Sequence, residues 1–140
     1  LLTAATELAR RTTLNAGNYQ ALLELAEMRD SLADVRGAAE ALNQAMYAYP
    51  LDPAVHRRLA ERAGRLGDWT TAVRERRAVM ALAPPDLAEA YYELAQASYR
   101  AGDLASARES VLRALERAPS FAKAQELLLT IRGARRPDQW

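Results

Sequence analysis

His56 is the only histidine of this 140-residue chain and cysteine is absent. No His-paired thiolate nucleophile can therefore be assembled from it, and no multi-histidine or cysteine zinc site. Carboxylates are plentiful, and Glu24 with Glu27 or Glu89 with Glu93 would share a helix face. Such pairs solvate helix surfaces as a matter of course and do not by themselves mark proton-transfer chemistry. The stretch GRLGD at 64–68 lacks the lysine and the serine or threonine of a phosphate-binding loop. No catalytic residue, no cofactor and no metal site are expected, and the chain is not expected to be an enzyme.

The other reactive groups are cations. Arg57, Arg58, Arg62, Arg65, Arg74, Arg76 and Arg77 crowd residues 53–80, where seven arginines meet three acids. A nucleic-acid patch would interleave such arginines with stacking aromatics. Here Trp69 reads more simply as a corner or inter-helix packing group, and Glu61, Asp68 and Glu75 dilute the field. Over the whole chain 19 basic and 18 acidic side chains nearly cancel, so nucleic-acid binding is not expected. Lys123 is the sole lysine, which leaves a cationic surface of guanidinium forks suited to carboxylates.

These side chains must be positioned by helices, because the sequence repeats itself with helical periodicity. Ala38, Leu42, Ala45 and Pro50 recur at the same intervals as Ala107, Val111, Ala114 and Pro119, and as Ala72, Arg76, Val79 and Pro84. The leading alanines stand 34 and 35 residues apart, with one residue added at Pro84-Pro85. An earlier stripe precedes each block: Leu22, Leu25, Ala26, Arg29; then His56, Leu59, Ala60, Ala63; then Tyr91, Leu94, Ala95, Ser98. That is the i, i+3, i+4, i+7 pattern of an amphipathic helix, with Leu25 and Leu94 expected in the core. Gly67-Asp68 and Gly102-Asp103 supply a left-handed stop and a cap for the next helix. Ala33-Asp34 lacks the glycine, which predicts a looser or differently closed corner.

Helices are thus predicted at about 2–13, 19–31, 36–48, 54–65, 69–82, 88–101, 104–117 and 121–132, with 133–140 as a tail. Arg76 falls in the apolar phase of Leu42 and Val111. Either its stem lies on apolar surface with the head in solvent, or a salt bridge receives it. A composition of 50% hydrophobic and 26% charged residues fits a folded helical protein. No apolar run reaches 18 residues, so no membrane span is expected. A start at Leu1 suggests a piece of a longer protein, whose exposed ends would allow a weak homodimer. Absence of cysteine fits either redox compartment, leaving localisation open.

The pattern resembles the tetratricopeptide repeat family. Tyr91, Leu94 and Ala95 carry the first half of its signature, with Ser98 where a later tyrosine is usual; Ala107, Val111 and Pro119 carry the second half. The resemblance covers repeats at about 19–52, 53–87 and 88–121, with partial flanking helices at 1–14 and 121–132, as one domain over 1–132. It implies an all-α, right-handed superhelical solenoid of antiparallel helix hairpins. It also implies that the first helix of each pair faces a concave groove, with Arg57, Arg58, Tyr92, Gln96, Tyr99 and Arg100 as central candidates. Tyr92, Gln96 and Tyr99 lie off the core stripe by helical geometry alone. Tyrosines offer amphipathic contact area and arginines fork onto carboxylates, so the expected function is scaffolding or binding of a protein or peptide segment. A purely structural spacer is the alternative. Some relatives grip a terminal carboxylate with lysines and asparagines, but this chain presents glutamates there, so a partner of mixed charge fits better.

Overall fold

The computed structural model describes residues 19–134 together with Thr3, Ala4, Thr6 and Glu7. Those four are helical and exposed; the rest of the expected opening helix, and residues 135–140 of the tail, lie outside the described residues. From Tyr19 onward seven helices follow: α1 (Tyr19–Ser31), α2 (Val35–Ala48), α3 (Pro53–Arg65), α4 (Trp69–Ala81), α5 (Leu87–Arg100), α6 (Leu104–Arg117) and α7 (Ala122–Gly133). Each boundary lies within one residue of the sequence expectation. The described residues contain no strand.

The helices begin where an aspartate can accept an orphan amide. Asp34, Asp68 and Asp103 take the amides of Gly37, Thr71 and Ser106, Asp86 takes that of Glu89, and Asp52 that of Ala54 ahead of α3, whose first residue is Pro53. Such a cap satisfies a donor the helix cannot. Phe121, ahead of α7, makes no side-chain cap.

The three corners close identically, which corrects the expectation for the first. The amides of Asp34, Asp68 and Asp103 reach back five residues to the carbonyls of Arg29, Ala63 and Ser98 at 2.8, 2.9 and 3.0 Å, the six-to-one bond of a Schellman stop. That stop needs a left-handed residue. Gly67 and Gly102 adopt φ of 75° and 87°, and Ala33 takes φ of 59° in the same place. Backbone bonding and the Asp34 cap therefore hold an alanine in a conformation its Cβ disfavours.

The chain forms two compact units, residues 1–75 and 76–140. In the first, α1 packs on α2 and α2 on α3. Leu22, Leu25, Ala26, Ala38, Ala41, Leu42, Ala45, Val55 and Leu59 make its core. Alanine recurs at the crossings because a small side chain lets backbones approach. Arg29 ends the α1 stripe where a small residue ends the others. Its stem runs past Gly37, and its Nη1 donates to the Gly37 carbonyl at 2.8 Å. A Cβ on Gly37 would lie 2.8 Å from Arg29 Cδ and 2.1 Å from Asp34 Oδ2, so the glycine makes room for both the arginine and the cap.

In the second unit α5 packs on α6, and α7 covers both. Ala95, Ala107, Val111, Ala114, Ala124 and Ile131 form the core, flanked by Tyr91, Tyr92, Tyr99, Phe121, Leu127 and Leu128. Leu94 is only half-buried, whereas Leu25 in the same phase is buried. The difference arises because Leu94 borders a cavity.

Candidate functional site

Arg57 and Arg58 lie on α3 in the first unit; Tyr92, Gln96, Tyr99 and Arg100 lie on α5 in the second. Arg57 is exposed and Arg58 half-buried, with the Arg58 guanidinium 3.6 Å from Glu27 of α1. Such a partly exposed pair is worth about 0.2–1 kcal/mol and is readily exchanged for another carboxylate. Deeper between α1 and α3, Arg62 donates to Asp30 Oδ2 through Nε at 3.0 Å and also through Nη2, and it contacts Glu61 at 3.1 Å. Much of the arginine cluster is thus neutralised within the unit.

On α5, Tyr92 and Tyr99 are half-buried against the core while Gln96 and Arg100 are exposed. The Tyr92 ring meets Phe121 edge-on at 5.2 Å between centroids. This contact holds the ring without using its hydroxyl. Arg76 is received by a salt bridge, at 2.9 Å from Glu93, with its side chain mostly buried. Of the two placements open to it, the ion pair is the one found.

The electrostatics around Tyr92 are acidic. Burial chiefly, and then the charges of Glu93, Glu89 and Glu126, push its phenol pKa up. Burial and the Glu93 carboxylate likewise raise Glu89, against a smaller opposing pull from Lys123. With Arg76 committed to Glu93, this face presents carboxylates from α5 and α7 around an aromatic ring.

Two polar constellations escaped the sequence reading. His56 and Glu75 are buried together, with Nδ1 2.5 Å from Oε2, while Nε2 lies 2.6 Å from the Pro50 carbonyl. A carbonyl can only accept, so Nε2 carries a proton. The Nδ1–Oε2 contact then needs one more proton, and the pair is neutral overall whichever atom holds it. Glu75 Oε1 also accepts from Arg74 Nε at 3.0 Å. All the pair's ring nitrogens and carboxylate oxygens are thereby engaged, which suits joining α3, α4 and the end of the first repeat rather than acting on a substrate. The available signal was phase: His56 and Glu75 stand where the first repeat has Leu22 and Ala41.

In the second constellation the Tyr19 hydroxyl donates to Asp52 Oδ2, and its ring meets Tyr49 edge-on at 4.6 Å. Burial and the bonded carboxylate push the Tyr19 pKa up to about 12, while the tyrosine bond lowers that of Asp52. Trp69 packs at its corner as expected, since a Cβ on Gly64 would lie 3.0 Å from the indole. The described residues contain no cluster of three or more histidine, cysteine or acidic side chains able to hold a metal. None of their helices is long and apolar enough to cross a membrane.

Helix hairpins repeating every 34 or 35 residues with alanines at the crossings define a tandem helical-repeat protein. Residues 88–121 match the tetratricopeptide repeat family model, and the chain has the tetratricopeptide-repeat fold. MamA from Desulfovibrio magneticus RS-1 is similar at a TM-score of 0.74 and 20% identity, over 92% of this chain and 72% of that one. The first tetratricopeptide domain of Spaghetti (RPAP3), bound to the HSP90 peptide SRMEEVD, gives 0.69 and 22% over 86% and 94%. The Yersinia enterocolitica type III secretion chaperone SycD, in complex with a peptide of the translocator YopD, gives 0.67 and 14% over 81% and 91%. At these identities the likeness shows the fold, an all-α tetratricopeptide solenoid. No curated protein matches the sequence significantly.

Proposed function

We propose that this chain is a protein-interaction module whose first-helix faces bind an extended segment of a partner. The observation that carries this reading is the α5 face, where two half-buried tyrosines packed against the core share a stretch of helix with exposed Gln96 and Arg100. A rigid amphipathic ring gives contact area at small entropic cost, and the side-chain amide and guanidinium beside it offer hydrogen bonds. Peptide-bound neighbours of the same fold support the assignment, since RPAP3 and SycD are seen with peptides. The carboxylates around Tyr92 favour a partner segment carrying lysine or arginine at that point. In the first unit, the α3 face with Arg57 and Arg58 by itself favours an acidic or amide-bearing residue.

A pull-down with the intact chain, repeated with Tyr92→Ala, Tyr99→Ala and Arg58→Ala, tests this. Capture of one protein should fall about tenfold or more for the tyrosine variants, as at an interface anchor, with helicity unchanged. Undiminished capture would move the site off these faces, and failure of the wild-type chain to capture any protein would leave it as a spacer. Binding that weakened log-linearly with salt and ignored the tyrosines would point to nucleic acid instead.

A further inference from the structure

A cavity of about 350 Å³ opens between α5 and α6 in the unit of residues 76–140, on a different side of α5 from Tyr92, Gln96 and Tyr99. Its origin is legible in the repeat. Ser98 stands where the first repeat carries Arg29. In the first repeat the arginine stem occupies that position and bonds across to Gly37. A serine fills far less, and Tyr91 and Leu94 are left as a partly exposed wall.

The lining is rich in donors. Ser98 lines the cavity while only 1% exposed, and its hydroxyl, closed off from water, has no hydrogen-bond partner in the protein. A buried polar atom in that condition has lost its water without replacement. Ser110 lies across from it on α6, and the exposed guanidiniums of Arg77 and Arg113 stand around the same space. Arg113 reaches Glu109 only at 3.9 Å, a weak and exchangeable pair. Two guanidiniums and the one carboxylate of Glu109 line the cavity, and Arg77 also acts on the Asp103 carboxylate at the corner.

We propose that this cavity binds a monocarboxylate carried on a compact apolar body. The arginine forks and serine hydroxyls complement an acceptor-only group, while Tyr91 and Leu94 cover hydrocarbon. The ligand is a free branched-chain acid or the last residue of a peptide chain, since both offer the same chemistry.

Calorimetric titration of the full chain with 4-methylpentanoate, its primary amide, N-acetyl-leucine and inorganic phosphate decides the matter. At least one acid should bind saturably, with the amide about tenfold weaker because it lacks the charge that the arginines grip. Tighter binding of N-acetyl-leucine assigns the cavity to a chain terminus, and the reverse assigns it to a free acid. Arg113→Gln should weaken binding severalfold. Ser98→Tyr refills the space and should abolish binding at an unchanged or higher thermal midpoint. Ser98→Ala keeps the space and removes only the hydroxyl, and it too should weaken binding severalfold. The proposal is overturned if neither acid saturates, if amide or phosphate binds as well as the acids, or if the folded Ser98 variants bind like wild type.

Discussion

Cutting Glu75 back to alanine should cost about 3–5 kcal/mol, the loss expected when one member of a buried pair is removed and the other stays. Glu75 is 2% exposed, with His56 on one carboxylate oxygen and Arg74 on the other. Without it, His56 keeps the Pro50 carbonyl on Nε2, but its Nδ1 faces the space the carboxylate left. His56→Leu alone should cost a similar amount, because the buried carboxylate then retains only Arg74. The double replacement behaves differently. Together His56→Leu and Glu75→Ala write into the second repeat the pair the first already has, Leu22 and Ala41, both 0% exposed. Apolar replacements substitute for buried ion pairs at little cost, and Leu with Ala falls only slightly short of the volume of His with Glu, so the double variant should return to within about 1.5 kcal/mol of wild type. Urea unfolding of the four proteins, followed by far-ultraviolet circular dichroism with slopes compared, closes the cycle. If the double variant is as unstable as the sum of the singles, the two residues do not act as a pair and the repeat-phase equivalence fails.

Three further outcomes follow from the corners and the caps. Ala33→Gly should raise stability by about 0.5–1 kcal/mol by releasing the left-handed alanine, read as a higher thermal midpoint. Gly37→Ala should lower stability although alanine is the better helix former by about 1 kcal/mol, because its Cβ would displace the Asp34 cap and the Arg29 stem. Tyr19→Phe should be less stable than wild type at neutral pH, and the gap should narrow as pH rises from about 10 to 12, in denaturant titrations across that range. The sign follows from the folded-state pKa of Tyr19, raised to about 12. Its contribution is complete below the unfolded value near 10 and is lost as pH climbs through the folded one.

Helix positions were legible because periodicity, aspartate caps and prolines all pointed the same way, and local signals of that kind survive without tertiary context. The first corner was misread for the opposite reason. Sequence shows that Ala33 dislikes the left-handed region, but the bond from the Asp34 amide to the Arg29 carbonyl, which overrides that dislike, forms only in the folded corner. His56, Arg29 and Arg76 stood out as polar intrusions on apolar stripes. Their partners were invisible, because Glu75, the Gly37 carbonyl and Glu93 are 19, 8 and 17 residues away in sequence. For the candidate binding face, helical phase put Tyr92 and Tyr99 off the stripe. The acidity around Tyr92 needed the packing that brings Glu126 of α7 toward α5.

Read across the repeats, one structural position explains both the buried pair and the cavity. The first repeat places Leu22 over Ala41, the second His56 over Glu75, and the third Tyr91 near Ser110. At the end of the same stripe stand Arg29, Ala63 and Ser98. Hydrocarbon and an arginine stem fill the layer in the first repeat, and an internal proton-sharing pair fills it in the second. In the third, two serines leave it open, and the hydroxyl of one of them is buried without a partner. Since the corners and crossing alanines are nearly the same in all three, backbone geometry does not account for the difference. Side-chain choice does, and where a repeat gives up bulk without gaining an internal partner, the missing contacts are available to a ligand. Ser98→Tyr therefore probes more than affinity: a rise in stability with loss of carboxylate binding would mean that the third repeat trades packing for recognition, as sites that break a local rule tend to do.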